Sequence, residues 1–169
     1  IVVDPVRHAT AAAAELHLQL YPGSDASLAF AMMHVLKREN LIDRDFLANH
    51  CIGWGELEPM LESCTPEWGE AETGVPAADI VRAAKMYGAG PALLWLGQGL
   101  QRQPMGGNIM RACATLPAIC GNYAKPGAGM LYLNGGGQKG VDGDYLVAPH
   151  LDNSPDTLSQ MDMAAYLEN

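Results

Sequence analysis

Ile1-Val2-Val3-Asp4-Pro5-Val6-Arg7, followed after an Ala-rich stretch by Leu16-His17-Leu18-Gln19-Leu20-Tyr21-Pro22-Gly23-Ser24-Asp25, is the part of the sequence on which the fold turns. The opening apolar run stops at Asp4-Pro5, a turn signal, and reads as a short buried strand. Thr10 to Glu15 is Ala-rich and predicts a short helix. Leu16, Leu18 and Leu20 alternate with His17 and Gln19, the period of two that a half-buried strand imposes. Tyr21 to Asp25 supplies Pro, Gly and two N-cap residue types, so a turn leads into the next helix.

Working outward, Ala26 to Asn40 predicts a long helix with Leu28, Met32, Val35 and Leu36 on one stripe. Asp43 is placed to cap a short helix running through Phe46 and Leu47. Trp54, Leu57, Met60 and Leu61 have helical spacing between Gly53 and Ser63, with Pro59 expected to distort or end the turn. Thr65-Pro66-Glu67 is an N-cap followed by Pro at the first helical position. Gly74-Val75-Pro76 introduces a helix from Ala77 to Tyr87, stopped at Gly88. Ala92 to Leu96 is a continuous apolar run of the kind buried in parallel sheets, and it exits into Gly97-Gln98-Gly99. Gly107 to Cys120 is apolar and helical, with an interruption expected at Pro117. Beyond Gly121, glycine and proline dominate. The alternation predicts an α/β fold: a Rossmann-like three-layer domain over residues 1–130, its mainly parallel sheet flanked by helices. Residues 131–169 read as a loop-rich C-terminal extension, with one short helix between Asp162 and Glu168.

The net charge is −9 and the pI about 4.8. That excludes a nucleic-acid backbone as partner, because such binding rests on Lys and Arg neutralising phosphates. It leaves room for a nucleotide cofactor, whose pyrophosphate can be held by backbone N–H groups. No apolar run approaches the ~20 residues of a membrane span, so no membrane insertion is expected. The chain opens on Ile1 without a basic, then apolar, leader, and reads as an internal piece of a longer polypeptide. Cys51, Cys64, Cys113 and Cys120 form no C-x-x-C pair and read as small buried hydrophobes. The five histidines lack metal-ligand spacing, with His17 and His34 structural, and the nine methionines read as core filler. No nucleophile elbow, H-E-x-x-H or convincing acid–base pair is present, so no catalytic or metal-ligating residue is assigned.

What remains is a set of three turns: Asp4-Pro5-Val6-Arg7, Tyr21-Pro22-Gly23-Ser24-Asp25 and Gly97-Gln98-Gly99-Leu100-Gln101-Arg102. In open parallel sheets, ligands bind beyond the carboxyl ends of the strands, where such turns converge. Asp4 and Asp25 can accept from the N1–H and N2–H₂ edge of guanine or from a ribose diol. Glycines let the backbone approach a phosphate, and Arg7 and Arg102 can add charge-assisted bonds. Taken singly, each acid is equally an ordinary turn or N-cap residue. Gly97-Gln98-Gly99 also lacks the third glycine of the NAD fingerprint, which opposes a nicotinamide dehydrogenase.

Taken together and in order, these turns resemble a block of the molybdopterin oxidoreductases, the dimethyl-sulfoxide-reductase and formate-dehydrogenase family. The similarity continues through Ala29 to Leu36, Leu41 to Phe46, Thr65-Pro66-Glu67, Gly74-Val75-Pro76, Gly97 to Arg102, Leu116-Pro117-Ala118 and Gly121-Asn122…Lys125-Pro126-Gly127-Ala128-Gly129. The stretch Asp142-Gly143-Asp144-Tyr145-Leu146 looks like one branch of the same family.

The resemblance implies a catalytic subunit several times longer, holding Mo or W between two molybdopterin guanine dinucleotides. This segment is similar to its third domain, which grips one guanine dinucleotide. Carried over residue by residue, the implied cofactor-binding set is Asp4, Pro5, Arg7, Pro22, Gly23, Asp25, Gly97, Gln98, Gly99, Gln101 and Arg102. Many relatives carry Arg immediately after the Asp-Pro pair; here Val6 stands there and Arg7 follows. The implied partners are the remaining domains of the parent subunit and an electron-transfer subunit, with a 4Fe-4S cluster only in the parent. The parent reaction implied is two-electron or oxygen-atom transfer, or a non-redox hydration within the same family. The isolated chain is expected to be inactive and to self-associate through helix faces that normally meet neighbouring domains.

Overall fold

The computed structural model describes residues 1–132. The chain divides into two compact units, Ile1–Leu133 and Asn134–Asn169, and only the first contains described residues. The helix expected between Asp162 and Glu168 and the similarity at Asp142 to Leu146 lie outside them.

Among the described residues there are two parallel strand pairs. Strand β1 (Val2–Val3) pairs with β2 (His17–Leu18), matching Val2 to His17 and Val3 to Leu18. Strand β3 (Leu93–Leu96) pairs with β4 (Gly129–Tyr132), matching Leu93 to Gly129 and Leu96 to Tyr132. Parallel pairing with helical crossovers is the α/β class that the sequence predicts. The regular strands are shorter than the apolar runs that announce them. Leu16 and Leu20 are buried like Leu18, yet only His17 and Leu18 sit in the ladder.

Helix α1 (Ala9–Ala13) is capped by His8, whose Nδ1 accepts from the Ala11 N–H at 3.4 Å. Helix α2 (Asp25–Arg38) is the centre of the core. Leu28, Ala29, Ala31, Met32, Met33, Val35 and Leu36 are all buried, more than a one-sided stripe, because helices pack on several sides of it. Helix α3 (Arg44–His50) starts as predicted, with Asp43 Oδ1 accepting from the Phe46 N–H at 2.9 Å. Helix α4 (Trp54–Met60) contains Pro59 and passes directly into a 3₁₀ turn at Leu61–Ser63. Helix α5 (Pro66–Thr73) has the predicted Thr65 cap, its Oγ1 accepting from the Trp68 N–H at 3.2 Å. Helix α6 (Ala77–Gly88) and helix α7 (Gly106–Ile119) complete the layer around α2.

Two glycines set how closely these helices pack. A Cβ at Gly69 of α5 would stand 2.6 Å from the Ala31 Cβ, and one at Gly88 of α6 2.6 Å from the Leu36 Cδ2. Gly88 is therefore the last helical residue and a packing contact, besides being a stop signal. Pro117 does not interrupt α7; the helix runs two residues further, and Pro117 is buried where its missing N–H costs one ladder bond.

Strand β4 is the element that sequence reading missed. It lies in a Gly- and Pro-rich stretch for which the sequence predicts no strand. Gly129, at φ +104°, donates its N–H to the Ala92 carbonyl at 3.1 Å and brings three apolar residues alongside β3.

His17 and His34 are structural as expected. The methionine and cysteine expectations hold only in part: Met60 and Met105 are exposed, and Cys51 is half-buried where Cys64, Cys113 and Cys120 are buried. His17 Nε2 lies 2.9 Å from the Asp4 carbonyl and His34 Nδ1 2.8 Å from the Leu61 carbonyl. Met32 and Met33 are buried. Burial pushes the Cys113 thiol up to about 12 and the Cys120 thiol up to about 11. Iodoacetamide at about pH 8 should therefore label the half-buried Cys51 while sparing Cys113 and Cys120 in the folded chain. Equal labelling rates at all of these positions, read by mass spectrometry, would contradict the packing described.

Candidate functional site

The first turn begins where β1 ends. Asp4 donates its N–H to the Leu18 carbonyl at 3.2 Å, continuing the ladder by one residue. Its Oδ1 accepts from the Val6 N–H at 2.7 Å, and its Oδ2 lies 3.5 Å from His8 Nε2. Asp4 is thus a turn-forming residue, as one of its two readings had it, and it keeps acceptor capacity on a part-exposed carboxylate. The Pro5 carbonyl accepts from Gln19 Nε2 at 2.9 Å, tying this turn to β2. Arg7 is exposed, with no ion-pair partner among the described residues.

The second turn is anchored on the end of α5. The Tyr21 N–H donates to the Thr73 carbonyl at 2.8 Å, and a Cβ at Gly74 would meet the Tyr21 ring at 2.7 Å. Thr73 is fully buried; its hydroxyl donates to the Gly69 carbonyl and accepts from the Val75 N–H, which fixes this anchor. Pro22 then leads to Gly23 at φ +86°, a conformation glycine adopts without strain. Ser24 donates from both N–H and Oγ to the Tyr21 carbonyl, at 3.1 and 2.7 Å. Asp25 follows as the first residue of α2, where the helix dipole favours a carboxylate.

The third turn leaves β3 at Gly97 and enters a 3₁₀ turn at Leu100–Arg102. Gly97, Gln98, Gly99, Gln101 and Arg102 are all exposed. A Cβ at Gly97 or Gly99 would meet nothing within 4 Å, so nothing in the chain itself requires glycine there, and the backbone stands open to an approaching ligand. Gly106 is different. A Cβ there would fall 2.3 Å from the Gln101 carbonyl oxygen, so the start of α7 is pressed against this turn. Gln101 Oε1 accepts a bond from the Tyr132 hydroxyl, which ties the turn to β4.

These three turns come together. Asp4 and Asp25 are close enough for each charge to act on the other. Asp25 and Gly97 line one cavity of about 660 Å³, together with Leu28, Leu100 and Cys113. A Cβ at Gly23 would lie 3.4 Å from Gln103 Oε1, so the second turn touches the segment that follows the third. Gln103 and Tyr132 are site-supporting residues that the sequence did not reveal. Tyr132 belongs to the missed strand, and Gln103 lies one position beyond the turn as read, with no local signal.

Burial raises the Asp25 carboxyl above the ordinary aspartate range, and the neighbouring Asp4 charge adds to the effect. No ion-pair partner for Asp25 is present among the described residues. No group of three or more His, Cys, Asp or Glu that could hold a metal occurs among them either. The site therefore offers carboxylate acceptors, open backbone at Gly97 and Gly99 and two exposed guanidinium groups, and no described metal cluster.

The rim thus gathers acid and glycine turns at the ends of parallel strands in an α/β fold. The chain belongs to the molybdopterin oxidoreductase family, whose sequence profile matches residues 1–166. It is 42% identical over 144 residues to F420-dependent formate dehydrogenase 1 subunit alpha of Methanococcus maripaludis, covering 85% of this chain and 21% of that one. It is 39% identical to formate dehydrogenase H of Escherichia coli, covering 85% of this chain and 20% of the other. Among solved structures it is similar to acetylene hydratase from Pelobacter acetylenicus, with a TM-score of 0.71 and 31% identity over 74% of this chain and 17% of that chain. The chain thus spans about a fifth of the length of the curated relatives it matches.

The sign of the pH effect at Asp25 follows from its raised pKa. The folded state favours the protonated form, so stability falls as pH rises from the ordinary aspartate pKa through the raised one. Asp25→Asn should raise the stability of the chain at neutral pH, because it removes a carboxylate that burial disfavours. That gain should vanish below about pH 4, where wild-type Asp25 is also neutral. Thermal melts of both forms at neutral and acid pH check this; a lower melting temperature for Asp25→Asn at neutral pH would contradict it.

Proposed function

We propose that this rim binds the guanine dinucleotide end of one molybdopterin cofactor in a larger oxidoreductase subunit. The observation that carries the reading is the meeting of Asp4, Asp25 and the Gly97–Gly99 turn at one end of the strands, with Asp25 half-buried and unneutralised. A carboxylate held out of water without a cation costs stability, and a guanine edge or ribose diol would supply its missing donors. The donor set fits the group: Asp4 and Asp25 toward the purine or ribose, the open backbone at Gly97 and Gly99 toward phosphate. Arg7 and Arg102 stand free among the described residues to pair with phosphate charge. Pro5 and Pro22 hold the turns, and Gln101 steadies the third.

When bound, the molybdenum– or tungsten–pterin group supplies the redox or oxygen-atom-transfer chemistry. This chain's residues bind and orient. In the full-length protein the partners would be the remaining domains of the subunit, which bring a 4Fe-4S cluster, and an electron-transfer subunit, as expected for the alpha subunit of a formate dehydrogenase. A second reading has the full-length protein hydrating its substrate without net redox change; the likeness to acetylene hydratase favours keeping it. The two differ in whether turnover delivers electrons to an acceptor.

Calorimetry with guanosine diphosphate tests the rim. Binding should be detectable at millimolar ligand and should weaken about tenfold in Asp25→Ala, the ~1.4 kcal/mol expected for a lost charged hydrogen bond. Adenosine diphosphate should bind less well, because its edge reverses the donor pattern that a carboxylate needs. Equal binding of the two nucleotides, or no heat at all, would remove the guanine assignment. The chain by itself should also self-associate, since Val3, Leu93, Trp95 and Leu131 are exposed on its strands. Sedimentation that stays monomeric at high concentration would count against this.

A further inference from the structure

Helix α1 is capped by a histidine, which is an unusual choice. Ser, Thr, Asp and Asn are preferred at this position, and their oxygens keep accepting across the physiological pH range. An imidazole nitrogen accepts only while it carries no proton. His8 Nδ1 accepts from the Ala11 N–H at 3.4 Å, so Nδ1 is bare in this arrangement. The proton of the neutral ring therefore sits on Nε2, and Nε2 faces Asp4 Oδ2 at 3.5 Å. One ring thus joins the start of α1 to one of the two rim acids.

The rest of Asp4 is fixed by other groups. Its N–H donates to the Leu18 carbonyl at 3.2 Å, and its carbonyl lies 2.9 Å from His17 Nε2. Its Oδ1 accepts from the Val6 N–H at 2.7 Å. Oδ2 is the atom turned to His8. Both side chains are part-exposed, His8 at 43% and Asp4 at 37%, so water and ligand can reach the pair. The other charged or titratable groups around it are Arg7, exposed and next in the chain, His17 of β2, and Asp25, which feels the Asp4 charge. Helix α1 itself, Ala-Thr-Ala-Ala-Ala, contributes none.

A proton added to this ring goes to Nδ1. The Ala11 N–H then meets a second donor in place of its acceptor, and the cap is lost. The backbone bond from the Ala12 N–H to the His8 carbonyl, at 2.9 Å, remains, so α1 loosens at its first turn without unfolding. The ring, now cationic and released from α1, turns to the Asp4 carboxylate, which takes a charge-assisted bond from it. That carboxylate then has less acceptor capacity for an incoming donor.

We propose that His8 is a positioning residue for Asp4, and that its protonation switches the rim from open to self-paired. The inference rests on the reading of the rim as a guanine nucleotide site and adds a pH control to it. The neutral ring holds Oδ2 in place while capping α1; the charged ring gives up the cap and occupies the carboxylate.

His8→Asn separates the two duties, because Asn caps a helix and does not titrate. In NMR of the 169-residue chain, the Ala11 amide and the Asp4 carboxyl carbon should both shift at the midpoint of the His8 ring signals. In His8→Asn neither should shift over that range. Calorimetry reads the rim. Guanosine diphosphate should lose about threefold more affinity between about pH 7.5 and about pH 5.5 in the unaltered chain than in His8→Asn, as befits a part-exposed pair. The contributions of Asp25 and of the nucleotide's own phosphate are common to both proteins and cancel. An Asp4 carbon or Ala11 amide that ignores the His8 midpoint overturns the proposal, whatever the nucleotide does. Equal pH dependence of affinity in the two proteins overturns it too. No heat with either protein would instead remove the guanine reading, and the NMR shifts would still decide for or against the hold of His8 on Asp4.

Discussion

The structure depends on the burial of α2. Seven of its residues are buried on several faces, which requires neighbours to come very close. That closeness is set by missing side chains, with Gly69 against Ala31 and Gly88 against Leu36. Because α5 and α6 pack so tightly on α2, the end of α5 reaches Tyr21, and the Tyr21-to-Asp25 turn is anchored by the Tyr21–Thr73 backbone bond. The position of Asp25 at the rim is thus a consequence of helix packing some two turns away.

At that rim, stability and binding pull in opposite directions. A helix N-terminus favours a carboxylate through its dipole. Desolvation and the Asp4 charge disfavour it, and they win at Asp25, where the net shift is upward. A residue that weakens the free protein is characteristic of a site whose ligand completes it. Asp4 is more ordinary: it builds its own turn through Val6 and has less acceptor capacity to spare. The two acids therefore differ in kind, although the sequence presents both as acids in turns beside strands.

Much of the architecture was legible in advance because its signals are local. Asp43 and Thr65 cap the helices they were expected to cap, since a side-chain oxygen and an N–H three residues on need nothing else. The apolar run Ala92 to Leu96 contains β3, although Leu93 and Trp95, expected to be buried, are exposed. Strand β4 was not legible, because three apolar residues after a glycine carry no periodicity and acquire a partner only through the fold. Pro117 misled for the same reason: a buried helix held on several sides tolerates one lost backbone bond that an isolated helix would not. Of the candidate site, the residues of all three turns were legible, and Gln103 and Tyr132 were not, because both act on turns distant in sequence or belong to the missed strand.

By itself the sequence determined the α/β class, the caps at Asp43 and Thr65, the central apolar stripe of α2 and the identity of the three turns, and through their order the family resemblance. Each of these is written in residues a few positions apart. Tertiary structure alone decided that the turns share one rim, that Asp25 rather than Asp4 is the desolvated acid, and that β1 and β3 line a common cavity. Those outcomes depend on distances between segments far apart in the chain, set by how closely Gly69 and Gly88 let the helices approach, and no local pattern encodes them.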